Sequence, residues 1–330
     1  MALAIGSRHI DERVIGVLPN FKHVTSVQVQ GRSSWAEASR IDVEQLDGSS
    51  ESYFMKVSKG HHGRSSLKGE FESTAAIHAF TPDFCPKPIA WGSFNSDADT
   101  HFYICKFYEF ARGLPHPTPF CAKLAELHLR SSDASPDGEF GFHVTTYNGD
   151  IPQDNTWSKT WEAFFAKAFR HVLRIREERA GHCADLEMLL PPFFGKVIPR
   201  LLRPLETGGN SIKPSLVHGD MWCGNAAIIN KASGEGIVYD PSSFWAHNEY
   251  ELGNWRPERN RFSQEYFDAY HSHIPISSPV CDYDDRNALY AIRFNLNAAT
   301  LFPDEKQYLI SVIEEMHSLV KKFTEGFTES

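Results

Sequence analysis

Eight residues decide the fold of this chain: His218-Gly219-Asp220-Met221-Trp222-Cys223-Gly224-Asn225. They place the carboxylate of Asp220 five residues before the amide of Asn225, and a second carboxylate, Asp240, follows fifteen residues later. Two apolar runs on either side of the polar, glycine-containing residues 231–235 predict a hairpin. Such a hairpin would carry Asp240 back beside Asn225.

Two carboxylates and an amide in this order are the side chains that phosphoryl transfer needs. The protein supplies a carboxylate that orients and deprotonates the attacking hydroxyl, together with oxygen ligands for magnesium. Asp220 fits the catalytic role. Asn225 and Asp240 fit the metal role, because Mg²⁺ prefers hard oxygen ligands. An Asp-x-x-x-x-Asn pair alone occurs by chance in many proteins, so the prediction depends on the whole ordered set.

Length, charge and hydropathy limit the class of protein. A chain of 330 residues exceeds what a single core usually holds, so two lobes are expected. The net charge of -9 argues against a nucleic-acid partner, which normally requires a basic face. No run of about 18 uninterrupted apolar residues occurs, so no membrane partner is expected. The N-terminus lacks a basic region followed by a long apolar core, and a cytoplasmic location is therefore expected.

Residues 24–57 carry the pattern of strands, with a period of two that is broken at Gly31, Ser33 and Ser34 and again at 47–50. The first break would form a loop that offers backbone N–H groups to the phosphates of a nucleotide. A protein-kinase-like small lobe covers ATP with elements in this order: a strand, a turn of small residues and two further strands. Because one glycine followed by serines is also a common hairpin turn, this loop alone is weak support.

Lys56 lies near the end of the third of these strands and precedes a helix expected over residues 67–80. An acid in the first turn of that helix could hold the lysine ammonium against the α- and β-phosphates. Glu70 is the preferred partner and Glu72 the alternative. Either residue could instead be a solvated carboxylate near a helix N-terminus, where the dipole stabilises it.

A hinge is expected where the apolar run of residues 101–110 leaves the small lobe. Its backbone would hydrogen-bond the edge of adenine, and Phe107, Tyr108 and Glu109 are placed there by analogy. Beyond the hinge, apolar residues recur at helical spacing, which predicts helices over 119–130, 158–180, 183–205, 258–273, 282–302 and 304–324.

These elements predict an α+β, protein-kinase-like fold with two lobes. A small, mainly antiparallel β lobe with one helix would span residues 1–105 and cover the nucleotide, and a hinge would span 106–110. A larger, mostly helical lobe over residues 111–330 would carry catalysis and substrate binding. ATP is the expected nucleotide, with Mg²⁺ as its metal.

With these pieces in place, the chain resembles the fructosamine and ketosamine 3-kinases, relatives of the aminoglycoside phosphotransferases. The resemblance covers most of the chain and rests first on residues 218–225 and Asp240-Pro241. It also includes Gly69-Glu70, Leu124-Ala125-Glu126-Leu127-His128, Phe140-Gly141-Phe142, Thr146-Tyr147-Asn148-Gly149 and Pro152-Gln153-Asp154-Asn155-Thr156-Trp157. The stretches between residues 140 and 157 distinguish this family from other small-molecule kinases.

The resemblance implies ATP-dependent phosphorylation of the 3-hydroxyl of a ketosamine, a sugar joined to an amine by non-enzymatic glycation. The substrate would be a glycated protein or a small ketosamine. The 3-phosphate is prone to elimination, which releases the free amine. On this reading Asp220 accepts the proton, Asn225 and Asp240 hold Mg²⁺, Lys56 and Glu70 set the phosphates, and residues 107–109 contact adenine.

Substrate contacts are implied for Trp222, His247, Glu249 and Trp157. Trp222 matches the tryptophan of the family pattern, where it could pack in the protein or stack on a sugar. Asn248 stands where the family commonly has arginine, which removes a bidentate, charge-assisted donor, although His247 and Glu249 remain. Trp157 could face a sugar or could equally be an ordinary core residue.

Two other functions stay open. The first is a kinase for another small hydroxyl compound, such as an aminoglycoside, a choline-like molecule or a sugar. An aminoglycoside, as a polycation, would favour an acidic pocket, whereas residues 140–157 offer aromatic side chains and few acids. The second is a nucleotide-binding pseudokinase without turnover. The presence of Lys56, Asp220, Asn225 and Asp240 argues against it.

Overall fold

The computed structural model describes residues 4–5, 8–32 and 35–328 of the chain. Its N-terminal part contains strands β1 (Ala4–Ile5), β2 (Arg8–His9), β3 (Phe21–Arg32), β4 (Glu37–Gln45), β5 (Ser50–Lys59), β6 (Pro88–Ser93) and β7 (Thr100–Lys106), with helices α1 (Glu12–Val17) and α2 (Gly60–Phe80). Five of the strands form an antiparallel sheet in the order β3-β4-β5-β7-β6, and β1 pairs with β2. This sheet forms the core of the small lobe.

The period of two along the central strands gives the sheet a core face and a binding face. On the core face, Ile41 of β4 and Met55 of β5 are buried in an apolar cluster that includes residues of α1. On the opposite face, Lys56 lies in register with Ala38 on β4 and with Tyr103 on β7. The alternation therefore turns the Lys56 side chain away from the core of the small lobe.

Helix α2 begins at Gly60, earlier than the predicted start at residue 67. The glycine has a φ of 75°, which lets β5 turn directly into the helix. Gly63, in the first turn, packs on the preceding strand so closely that a Cβ would lie 2.6 Å from Ser58 Oγ. The small residues of this stretch thus allow a tight contact between the helix and the strand.

The larger lobe carries helices α3 (Pro117–Ser131), α4 (Trp161–Ala180), α5 (Ala184–Pro192), α6 (Ile198–Leu202), α7 (Glu249–Leu252), α8 (Gln264–His271), α9 (Tyr283–Leu301) and α10 (Lys306–Lys322). Short strands pair among them: β8 (Tyr147–Asn148) with β9 (Ile151–Pro152), β10 (Ser215–Val217) with β13 (Phe244–Ala246), and β11 (Ala226–Asn230) with β12 (Glu235–Val238). The α+β, protein-kinase-like fold of two lobes is confirmed. The boundaries at residues 105 and 111 stay a proposal, and β7 ends at Lys106.

Two predicted helices have a different form. The helix over 183–205 continues past its prolines through a π-helical turn, Phe193–Val197, into α6. The helix over 258–273 is instead a single 3-10 turn, Glu258–Asn260, followed by α8. Arg261 separates the two with a φ of 62°, a left-handed conformation that no helix can continue through.

The core of the large lobe is aromatic. Trp161, at the start of α4, is fully buried and stacks on Phe164 with ring centroids 5.7 Å apart. Its indole N–H donates to the hydroxyl of Tyr290 on α9 at 2.8 Å, so this polar atom is satisfied inside the core. Tyr250 of α7 packs edge-on against the rings of Trp161 and Tyr290. The cluster thereby ties α4 and α9 to α7.

Within the described ranges, no helix is long and apolar enough to cross a membrane.

We expect Gly69→Ala to destabilise the protein by about 1–3 kcal/mol, because a methyl group would force the backbone apart. A Cβ at Gly69 would lie 2.6 Å from the carbonyl oxygen of Thr145, in the segment that α2 packs on. Gly16, in α1, is the matched control, since a Cβ there meets nothing within 4 Å. Gly16→Ala should be neutral or stabilise by up to about 1 kcal/mol. Urea unfolding of both variants checks this, and equal stabilities would contradict it.

Candidate active site

The loop after β10 presents Asp220 at the base of the cleft between the lobes. Gly219 has a φ of 81°, and a Cβ there would lie 2.3 Å from the carbonyl oxygen of Ser242. Only glycine fits this turn, which directs the next residue, Asp220, into the cleft. The amide of Asn225 donates to the Asp220 backbone carbonyl at 2.9 Å and to its carboxylate at 3.1 Å. These bonds hold Asp220 and Asn225 side by side.

The predicted hairpin is confirmed, and it returns Asp240 to the same place. Ala226 on β11 pairs with Val238 on β12, and the N–H of Tyr239 donates to the carbonyl of Asn225 at 3.1 Å. Asp240 follows immediately with a φ of 57°, which aspartate tolerates better than most residues. Asp220, Asn225 and Asp240 thus line one cavity.

Lys56 connects the small lobe to this loop. Its ammonium donates to Glu70 Oε1 at 2.7 Å and to Asp240 Oδ1 at 2.6 Å. Glu70 is therefore the helix partner of the lysine, while Glu72 lies 3.2 Å from His143. Burial opposes the charge on Lys56, yet the two carboxylates raise its pKa above the ordinary lysine value.

The carboxyl group of Asp220 is poised near neutrality. Burial, together with the negative charge of Asp240, raises the pKa of Asp220 to about 7, against the hydrogen bonds from Asn225 and Asn254. A carboxylate with such a pKa exchanges a proton readily at neutral pH, which is what a general base requires. The same two causes raise the pKa of Glu70, where Lys56 opposes them.

Glu251 holds the Asp220 loop from behind and was not identified from the sequence. Its carboxylate accepts the backbone N–H of His218 and, at 3.1 Å, that of Gly219. The side chain is fully buried in α7. The sequence carries one signal for it, an acid between the apolar residues Tyr250 and Leu252, both of which the fold buries. An acid buried with them needs hydrogen-bond donors, and here the loop before Asp220 supplies them.

The cavity between the lobes has a volume of about 1350 Å³. Its roof is the binding face of the sheet, and Gly31 and Lys56 belong to it. Ser33 and Ser34, expected to complete a phosphate loop with Gly31, lie outside the described residues. The floor carries Asp220, Asn225 and Asp240. A cavity of this kind, with acids on one side and a cation on the other, suits a nucleotide and an acceptor together.

The segment after β7 forms the back of the cavity, and Phe107, Tyr108 and Glu109 all line it. The N–H of Phe107 already donates to the carbonyl of Ser52 at 3.0 Å. The N–H groups of Tyr108 and Glu109 have no acceptor within the described part of the chain. Any adenine contact through a backbone N–H therefore falls to Tyr108 or Glu109. The Phe107 ring is covered by the guanidinium of Arg40, 4.6 Å from its centroid.

Of the four expected substrate contacts, only Trp222 lines the cavity, with 40% of its surface exposed. His247 is fully buried and bonds to Tyr290 and Ser277, each at 2.9 Å. Burial lowers the pKa of His247 to about 4, so the ring is neutral. These bonds give His247 a structural role in the large lobe, which corrects the expectation of substrate contact.

The expectation is corrected in the same way for Glu249 and Trp157. Glu249 is buried against Arg286, with the carboxylate 2.9 Å from the guanidinium, and neither group reaches the cavity. Trp157 packs on Gly141, where an added Cβ would lie 2.9 Å from the indole ring. The family pattern that implies substrate contact for both residues does not distinguish a buried ion pair or a packing aromatic ring from a ligand contact.

Comparison with known proteins points to one family over most of the chain. The family model described as fructosamine kinase matches residues 20–322. Ketosamine-3-kinase of Mus musculus is 31% identical over 265 residues, which are 74% of this chain and 81% of that protein. The chloroplastic protein-ribulosamine 3-kinase of Oryza sativa subsp. japonica is 29% identical over 273 residues, which are 82% of this chain and 74% of that protein.

Solved structures show the same fold at lower identity. A Thermobifida fusca protein named as a fructosamine-3-kinase has a TM-score of 0.73 and 21% identity, covering 94% of this chain and 98% of its own. An aminoglycoside phosphotransferase in complex with ADP and hygromycin B has a TM-score of 0.59 and 16% identity, with the same coverage of 94% and 98%.

We expect Glu251→Gln to lower the free energy of unfolding by about 1–3 kcal/mol. Glutamine has a single side-chain oxygen, so one of the two backbone N–H groups would face its NH2 group and lose its acceptor. Glu258→Gln removes the same charge from an exposed residue and is the matched control. Thermal and urea unfolding of the two variants are compared at one pH. Equal loss of stability in both would show that the Asp220 loop does not depend on Glu251.

Proposed function

The chain belongs to the fructosamine kinase family, and from this premise we propose that it is an ATP-dependent kinase that phosphorylates the 3-hydroxyl of ketosamines. The observation that carries the proposal is the convergence of Lys56, Glu70 and Asp240 in one cavity with the partly buried carboxyl of Asp220. The nucleotide and the acceptor would meet in the cavity between the lobes. Elimination of the 3-phosphate would then release the free amine, which is deglycation.

Asp220 is proposed as the group that accepts the proton of the 3-hydroxyl. The oxygen of that hydroxyl would attack the terminal phosphorus of ATP, forming one P–O bond as the bond to ADP breaks. The amide of Asn225 donates to one carboxylate oxygen of Asp220 and so fixes its orientation. This arrangement supports a base that is oriented before the substrate arrives.

Lys56 is proposed to hold the phosphates, and Glu70 to hold Lys56. Both side chains are largely enclosed, with 15% of each exposed. The ion pair with one oxygen of Glu70 leaves the ammonium able to donate to a second oxygen. In the cavity as it stands, that oxygen belongs to Asp240. A phosphate oxygen is an equivalent acceptor. Tyr108 and Glu109 are proposed to contact adenine, with Gly31 above the phosphates.

Asn225 and Asp240 are proposed as the Mg²⁺ ligands. The Nδ2 of Asn225 is used by Asp220, and its Oδ1 accepts no hydrogen bond within the described residues. The carboxylate of Asp240 is 45% exposed toward the cavity. One amide oxygen and one carboxylate fit a cation that keeps several waters and binds phosphate oxygens as well. When bound there, Mg²⁺ would neutralise charge on the phosphates.

Glycated proteins and small ketosamines are both proposed as acceptors. Relatives from Oryza sativa carry the words protein-ribulosamine and chloroplastic in their names. The cytoplasmic location expected from the sequence stays a prediction.

We expect the purified protein to consume ATP with Mg²⁺ when ribulosamines or fructosamines are supplied. Asp220→Asn should lower this turnover at least about a hundredfold, because the general base is lost. Nucleotide binding, measured by calorimetry, should be retained in the variant. Aminoglycosides, choline and free sugars complete the panel.

Turnover confined to a member of that panel other than a ketosamine would keep the phosphotransferase mechanism and overturn the assigned substrate. Bound ATP without turnover of any acceptor would instead support a pseudokinase. Near-normal rates in Asp220→Asn would remove this residue from the role of base.

Asp240→Asn should raise the Mg²⁺ concentration needed for half-maximal turnover by at least about tenfold, since a charged oxygen ligand becomes neutral. Asparagine also tolerates the left-handed backbone of this position, so the fold should be kept. Chelation by EDTA should abolish turnover of the unmodified protein, and added Mg²⁺ should restore it. An unchanged Mg²⁺ requirement in the variant would place the metal elsewhere.

A further inference from the structure

One end of the cavity, beyond Asp220, is lined by residues to which the proposed reaction assigns no role. They are Asn254, Arg259, Asn260 and Tyr308, beside the exposed ring of Trp222. Lys56 on the sheet and residues 107–109 after β7, which the proposed reaction places against the nucleotide, belong to other walls of the same cavity. An acceptor that reaches Asp220 would extend into this end, so its walls bear on which acceptors fit.

Arg259 belongs to a turn that is held to a neighbour of Asp220. The turn is the 3-10 turn Glu258–Asn260. The amide of Asn260 donates to the carbonyl of Asn254 and, at 3.0 Å, to its side-chain oxygen. Asn254 lines the same cavity as Asp220 and acts to lower the pKa of that carboxyl group. The backbone of Arg259 is therefore anchored close to the proposed base.

The guanidinium of Arg259 is also held in one orientation. One Nη donates to Asn295 Oδ1 at 2.6 Å, and the group lies over the ring of Tyr308, 5.2 Å from its centroid. Asn295 is held by Glu315, to which it donates at 3.1 Å. Partial loss of solvent lowers the pKa of Arg259, but a guanidinium stays charged at any physiological pH.

This cation has no directly paired acid. Within the described ranges, no carboxylate lies within ion-pair distance of Arg259, and the one acceptor of its guanidinium is a neutral amide. Glu315 acts on it from behind Asn295 and favours its charged form. Arg256, three residues earlier, shows the contrast, because it pairs with Asp284 at 2.7 Å and does not line the cavity. A preorganised guanidinium with unused N–H donors is a site for a carboxylate or a phosphate.

We propose that Arg259 binds an anionic group on the acceptor, and thereby selects small ketosamines formed on free α-amino acids over those formed on protein lysines. This rests on the ketosamine kinase function proposed above. In an adduct of a free α-amino acid, one carbon separates the carboxylate from the nitrogen that carries the sugar. In an adduct of a lysine side chain within a protein, no carboxylate lies near that nitrogen.

The test compares two acceptors that differ only in charge: the ribulose adduct of glycine and that of glycinamide. The unmodified protein should turn over the glycine adduct with a kcat/KM at least about tenfold higher, the size expected of one charge-assisted contact. Arg259→Gln should remove this preference by raising KM for the glycine adduct, with little change for the glycinamide adduct. Arg256→Gln, which also removes one cation, should keep the preference.

A third acceptor separates the two sources of negative charge. It is the glycinamide adduct of a sugar that bears a phosphate. One result would overturn the selection of amino acids and place a phosphate at Arg259. In it, the phosphorylated adduct has a higher kcat/KM than the plain glycinamide adduct, the glycine adduct does not, and Arg259→Gln removes the difference. Equal kcat/KM for all three acceptors would overturn the anion site while leaving the ketosamine kinase intact. Turnover of a ribulose-glycated protein but of none of these three would overturn the selection of free amino acids. Absence of turnover with all four acceptors would instead overturn the proposed function itself.

Discussion

The arrangement of the cleft depends on one buried cation shared by two acids. Lys56 extends from the sheet of the small lobe to Glu70 on α2 and to Asp240 at the end of the hairpin in the large lobe. A charge enclosed to this extent is costly unless it is paired, so the three side chains position one another. This interaction links the two lobes and joins the binding face of the sheet to the hairpin beside the Asp220 loop.

The large lobe fixes its side of the cleft by a different means. Asp220 follows a glycine that no other residue can replace, and the backbone N–H groups before it are held by Glu251. Glu251 lies on α7, which the aromatic cluster around Trp161 ties to α4 and α9. The aromatic core thus acts on the chemistry indirectly, by holding the helix that holds the loop.

Patterns within short stretches were reliable where local geometry decides the outcome. The alternation along β5 was enough to turn Lys56 toward the cavity, and the glycine-containing turn between β11 and β12 returned Asp240 to Asn225. Predictions were less accurate where packing decides the outcome. Helix α2 begins at Gly60 instead of residue 67, and Gly63 fits it closely against Ser58. Arg261 interrupts an expected helix with a backbone conformation that side-chain periodicity does not reveal.

The sequence by itself determined the two-lobed fold and the family, because these depend on ordered sets of residue types at fixed spacing. Only the tertiary structure decided which polar residues face the cavity. His247 and Glu249 were expected at the substrate and are buried in the core, since Tyr290 and Arg286 satisfy them there. Glu251 and Arg259 reach the Asp220 loop and the cavity wall from positions that no motif marks. The physical reason is that burial and pairing depend on partners far away in the chain, and spacing along the sequence does not record them.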